Sequence, residues 1–206
     1  MPVTPLQAAQ DVLARAAELL TLDPGTEKVT LLEYDCRRQA VAMGVAALDT
    51  WMHWSIRGTN LSALSSRMHN LDVPFGDLIG MGKASLDARR RSVQDRPLVR
   101  ARNVLNEKLL TMTFQTARQW ELGFDLLGVR QGIKKAGLAM TPTQSHGSIT
   151  DKLNAVSHRR NRIVHEGDLR RLVRPQKITR SRLPRTDVDA DLAWIGAFLV
   201  AVDTVR

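Results

Sequence analysis

In 206 residues the chain has one cysteine, Cys36, and one tyrosine, Tyr34, and aromatic side chains make up only 4% of it. A lone cysteine cannot close an intramolecular disulfide, which excludes a disulfide-stapled scaffold. Cys36 stands between Asp35 and Arg37 with no histidine beside it, the setting of a small buried hydrophobe and not of an activated thiolate. So few aromatics leave most core filling to aliphatic side chains. There is no run of about 18 apolar residues to span a bilayer, and no apolar segment behind a basic start to direct secretion. The expected compartment is therefore the cytoplasm, without membrane association. His53, His69 and His146 are scattered and share no metal-ligand spacing with cysteine or acids, so no metal and no cofactor is expected. Gly76, Gly80 and Gly82 lack the Gly-Lys-Ser/Thr sequence of a phosphate loop, since Gly82-Lys83 is followed by Ala84.

Period-two alternation bounded by hairpin turns is also missing, whereas helical spacing recurs along the chain. Leu6, Ala9, Val12, Leu13, Ala16, Ala17 and Leu20 predict a helix over 5–20, stopped by Asp23-Pro24-Gly25. A longer one is predicted over 26–56 from Val41, Val45, Leu48 and Met52. Between 59 and 96, Pro74 and the three glycines predict short helices and a loop. Helices follow over 97–114, 116–127 and 148–166, the last closed by Gly167 after a connection around 137–147. A final helix starts near Asp187 and carries Val188, Leu192, Ile195, Leu199 and Val202. With 43% hydrophobic and 25% charged residues the chain has an ordinary globular composition. The expected fold is all-α, a helical bundle in a single domain over 1–206, opened by an N-terminal helix within 5–22. Trp51, Trp54, Trp120 and Trp194 all fall in helical segments and are expected in core or interface.

The net charge of +9 is concentrated in one stretch. From Asp151 to Arg185 there are eleven Lys or Arg against three acids, a net of +8, so the rest is nearly neutral. Such a field attracts polyanions through counterion release, RNA or DNA alike, though a merely solubilising surface has the same composition. Within it, Leu153, Val156, Arg160, Ile163 and Val164 share one side of a helical wheel. Arg160 thus takes a slot the pattern would give to a hydrophobe, and must either meet an acid or face a polar cleft. Arg162 and Glu166 form an i,i+4 pair with Arg159 beside them, most simply a solvated surface. Asn161 and His165 are likewise four apart, on the flank next to Arg160. That patch combines a group that transfers protons near neutral pH, an amide that can orient it, and a guanidinium whose fork matches a phosphoryl group.

The string Arg160-Asn161-x-x-x-His165, with Ile163-Val164 before the histidine and Glu166-Gly167-Asp168 after it, resembles the R-x4-H motif of HEPN ribonucleases in its Arg-Asn form, and most nearly the RiboL-PSP branch. The segment from Tyr34 to Trp54, with Ala46-Ala47-Leu48-Asp49-Thr50-Trp51, resembles that branch's early long helix. Thr113-Phe114-Gln115 and Leu126-Leu127-Gly128 resemble its middle, and 178–202 its closing helix. The resemblance covers about 32–205. It implies a HEPN-type bundle and a metal-independent endoribonuclease, with Arg160 and His165 catalytic and Asn161 supporting them. It further implies a homodimer in which two motif helices form a composite active site on RNA. The product ends would be a 2′,3′-cyclic phosphate and a 5′-hydroxyl. Asp49 is the candidate acid to pair with Arg160; Arg159, Arg162, Arg170, Arg171 and His158 are the candidate RNA contacts. The implied role is a toxin or defence effector restrained by an antitoxin or regulatory protein. A HEPN module that binds RNA or a partner without cutting is the alternative. Some HEPN toxins carry a modifiable tyrosine two residues after the histidine; here that position is Gly167, so control by that route finds no support.

Overall fold

Helices need a start signal as well as an apolar face, and three of them here open with the same device. Thr4, Thr30 and Thr116 each accept a hydrogen bond from the backbone three residues on, while the side chains of Gln7, Glu33 and Gln119 reach back to the cap. These reciprocal capping boxes satisfy backbone donors that would otherwise be unmet. They start α1 (Pro5–Thr21), α2 (Leu31–Gly58) and α5 (Ala117–Leu127). The computed structural model describes residues 2–23, 29–61, 75–91, 96–170, 173 and 176–206. Its other helices are α3 (Phe75–Arg91), α4 (Arg96–Leu110), α6 (Gly132–Ala139), α7 (His146–Glu166) and α8 (Arg185–Val205). The fold is all-α. Among the described residues no strand forms, only an isolated antiparallel bridge between Leu169 and Arg180.

The long α2 is the axis of the bundle: α1, α4, α5, α7 and α8 all pack against it. The predicted N-terminal helix is part of the core, since Ala9, Ala16 and Leu20 are buried against α2 and α8. The few aromatics are not spread among aliphatic residues but gathered at the centre. Trp51 stacks on Trp120 at 5.6 Å, and Phe124 and Phe198 pack edgewise or tilted around them. Trp51 also anchors its indole N–H on Asp203 Oδ1 at 3.0 Å. A scarce residue type thus carries much of the deepest burial.

Two helical stretches differ from the sequence expectation. Residues 75–91 form one continuous helix through Gly76, Gly80 and Gly82, where the glycines predict a broken segment. A helical glycine costs about 1 kcal/mol relative to alanine, and the packing of α3 against α4 offsets such a cost. Pro74 and His69 lie outside the described residues. The second difference is α6, a short helix that its periodicity does not announce. Gly132 lets it approach α5 so closely that a Cβ there would fall 2.2–2.5 Å from ring atoms of Phe124. Gly132→Ala should therefore lower stability by about 1–3 kcal/mol through overpacking, read as a shift in urea midpoint. An unchanged midpoint would mean that Phe124 moves aside freely.

The last of these elements position the far end of α7. Ile149, Leu153 and Val156 are buried, fixing its first turns against α2, α5 and α6. Gly167, at φ 59, turns the chain out of the helix, and Asp168 N–H donates to Arg162 O at 2.9 Å. No helix among the described residues is long and apolar enough to cross a membrane.

Candidate active site

The last two turns of α7 bring Arg160, Asn161 and His165 together. Arg160 Nη1 donates to Asn161 Oδ1 at 3.1 Å and lies 3.5 Å from His165 Nε2, to which it donates when that nitrogen carries no proton. Arg160 is half-buried, whereas Asn161 and His165 are exposed. The guanidinium therefore has its stem on the helix surface and its head at a polar, solvent-facing patch, with no acid paired to it among the described residues. Arg160 and His165 are five positions apart, too far round the helix for short side chains to meet. Only the reach of the arginine closes the gap. Both groups can then contact one phosphate from the same side.

Wheel positions around the motif need correction at Val164, which is 50% exposed although the pattern places it with Leu153 and Val156. Ile163 instead turns inward, half-buried against the cluster of Ala16, Leu20, Val41 and Leu183. Asp49 also does other work than expected. Its two oxygens accept from Phe114 N–H and, at 2.5 Å, from Gln115 Nε2, tying α2 to the turn before α5. It lies 11 residues beyond Arg38 on α2, about 16 Å along the helix at the usual rise. Since Arg38 sits against the end of α7, Asp49 is displaced from that end by about the same distance.

The acid that does matter at this end is Asp168, which in the sequence is one of three acids in a basic stretch and follows the motif histidine, with no partner indicated. It is fully buried at φ 56, and Arg38 Nε donates to its Oδ2 at 3.2 Å. Arg159 and Arg162 approach at 3.7 and 3.6 Å, with side chains only 26% and 31% exposed. Arg159 also donates to Arg182 O at 3.1 Å, and Arg162 to Ser181 Oγ. Ser181 N–H donates to Asp168 O at 2.8 Å, and Arg170 N–H to Thr179 O at 2.9 Å. The chain leaving α7 is thus pinned back under its own helix. Arg37, next to Arg38, makes a similar anchor: it donates to Asp23 at 2.5 and 3.0 Å and to Leu183 O at 3.1 Å. The bond to Asp23 is the main reason its pKa stands above the ordinary arginine value, burial opposing the rise. A sequence signal for both anchors exists. Arg37 and Arg38 precede Val41 and Val45 on the inward stripe of α2, so each needs a buried acid.

The expected RNA contacts divide accordingly. Arg159 and Arg162 are engaged at Asp168; His158 and Arg170 are exposed; Arg171 lies outside the described residues. Lys177, Arg180 and Arg182, all exposed, join Arg170 on the segment beside the motif. Among the described residues no three His, Cys, Asp or Glu side chains gather as a metal-holding group. His53 contacts Met112 O at 3.2 Å and His146 contacts Glu121 at 3.2 Å, at separate places. Comparison of the chain with protein-family models, with curated proteins and with solved structures returned no match, and so assigns it to no family.

Proposed function

We propose that the protein is a metal-independent endoribonuclease of HEPN type, working as a homodimer whose two α7 ends form one composite site. The observation that carries this reading is the 3.5 Å approach of Arg160 to His165 on a solvent-facing patch, bordered by the basic segment after Asp168. In the reaction, one His165 takes the proton of a ribose 2′-hydroxyl, and the 2′-oxygen attacks the adjacent phosphorus. The bond from phosphorus to the 5′-oxygen breaks as His165 of the partner subunit gives that oxygen a proton. A 2′,3′-cyclic phosphate and a 5′-hydroxyl result. Arg160 stabilises the negative charge that builds on the non-bridging oxygens. Asn161 holds the guanidinium in place. Half-exposed Val164, with Leu169 at 40% exposure, supplies apolar surface beside the motif for a second subunit. Uncontrolled cutting of RNA in the cytoplasm harms the cell that makes it, which fits a toxin or defence effector held in check by an antitoxin or regulatory protein.

Labelled RNA incubated with the protein in EDTA tests the proposal. Cleavage that survives chelation and disappears in His165→Ala is expected. Tight binding with no products in either protein would instead describe a module that holds RNA without cutting it. Backbone affinity is tested separately at Arg180, which forms the bridge with Leu169, and at Arg170 next to it. Arg170→Ala with Arg180→Ala should flatten the dependence of log affinity on log salt by roughly 0.7 for each phosphate no longer neutralised, with slow cleavage retained. An unchanged slope would take that segment off the RNA path.

A further inference from the structure

At the other end of α2, a cleft of about 540 Å³ opens between the start of the chain, the last turn of α2 and α4. Val3, Pro5, Trp54, Arg57, Arg102 and Asn106 are among its walls. Trp54 and Arg57 follow Arg38 by 16 and 19 residues, which sets the cleft about 24–28 Å along the helix from the Asp168 anchor. It is separate from the Arg160–His165 patch and does not depend on what that patch does.

The walls combine complementary chemistries. Trp54 is 40% exposed, unlike the buried Trp51 and Trp120, so it presents an open aromatic face. Arg57 is exposed, and its guanidinium meets no hydrogen bond or ion pair among the described residues. Arg102 brings a further positive charge, fixed by donating to the carbonyls of Arg57 and Thr59. Asn106 Oδ1 is buried without a hydrogen-bond partner among the described residues. No acidic side chain appears among the described lining residues. A purely apolar ligand would leave the arginines unmet, and a bare phosphate would leave the indole uncovered. A nucleotide answers both: its base stacks on Trp54 and its phosphate pairs with Arg57. The volume falls in the usual range for small-ligand sites, about 300–1,000 Å³.

We propose that this cleft is a second, non-catalytic site that binds a nucleoside 5′-monophosphate unit, stacked on Trp54 and held through its phosphate by Arg57. That unit is either a free nucleotide or the phosphorylated end of an RNA strand. Calorimetric titration of the His165→Ala protein, which spares the RNA, separates the two. The probes are AMP, a 5′-phosphorylated oligoadenylate, adenosine and inorganic phosphate. Saturable binding of AMP or of the phosphorylated oligomer is expected, with adenosine and phosphate each about tenfold weaker or more. Comparable affinity for AMP and oligomer identifies a free-nucleotide site, and a clear preference for the oligomer identifies a strand-end site. Trp54→Ala should weaken the preferred probe at least about tenfold, the size of a missing base stack. Arg57→Ala, at an exposed position that leaves folding intact, should do the same, and Arg57→Lys should restore part of the affinity. Absence of saturable binding by both nucleotide probes overturns the proposal, as does binding that is unchanged in Trp54→Ala and Arg57→Ala.

Discussion

Arg160→Ala and His165→Ala should each lower the rate of RNA cleavage by about 10²–10⁴-fold, with the folded protein intact. The size follows from what each group supplies: proton transfer by a positioned side chain contributes about 10²–10⁴-fold, and a preorganised charge at the transition state about 10²–10³-fold. Neither group is deeply buried and neither closes a packing contact of the core, so thermal unfolding should move little. Affinity for uncleaved RNA should fall much less than the rate, because the guanidinium meets most of its charge only as the phosphorane-like state forms. Arg160→Lys should recover only part of the loss, since an ammonium keeps the charge but not the fork that reaches both Asn161 and a phosphate. Single-turnover kinetics with saturating enzyme reads these effects without interference from product release. A normal rate in either alanine variant removes that residue from the chemistry.

Asp168→Ala should cost about 3–5 kcal/mol of stability, the usual penalty for removing one side of a buried ion pair. The carboxylate is wholly buried, and its loss leaves Arg38 Nε without its acceptor and only the exposed Asp35, at 3.0 Å from Arg38 Nη1, as counter-charge, while Arg159 and Arg162 lose their inward target. Asp168→Asn should cost less. It keeps an acceptor for Arg38 and tolerates the left-handed backbone at φ 56, while surrendering the charge. Urea unfolding should therefore rank the wild type above Asp168→Asn and that variant above Asp168→Ala. A loss under about 1 kcal/mol for the alanine variant would show that water replaces the carboxylate at little cost. Because the anchor lies three residues past His165, a destabilised variant should also lose cleavage by freeing the end of α7.

How far the sequence reveals this molecule depends on which signal each part uses. Helices α1, α2, α5, α7 and α8 are readable because an apolar stripe and a start or stop residue coincide, as with Gly167 after α7, although α2 begins at Leu31 behind the Thr30 cap and not at 26. Helix α6 is not, because its contact with α5 is made by an absent side chain at Gly132, and a missing Cβ has no periodicity. Glycines in α3 suggest breaks for the opposite reason: local propensity speaks before tertiary contact with α4 is known. At the candidate site, the proximity of Arg160, Asn161 and His165 follows from helical spacing together with the length of the arginine side chain, and both are readable in the sequence. The partners of Arg38 and Asp49 do not. Arg38 and Asp168 are 130 residues apart, and a charge on an inward stripe announces that it needs a partner without saying which.

The composite site is tested most directly by mixing. Wild-type protein is combined with increasing amounts of the doubly substituted Arg160→Ala, His165→Ala protein, subunits are allowed to exchange, and cleavage of end-labelled RNA in EDTA is measured against the wild-type fraction. If both subunits furnish groups to one site, activity falls as the square of that fraction. A linear fall would show that each subunit cuts alone, and no chelator-resistant cleavage at any ratio would contradict the nuclease itself.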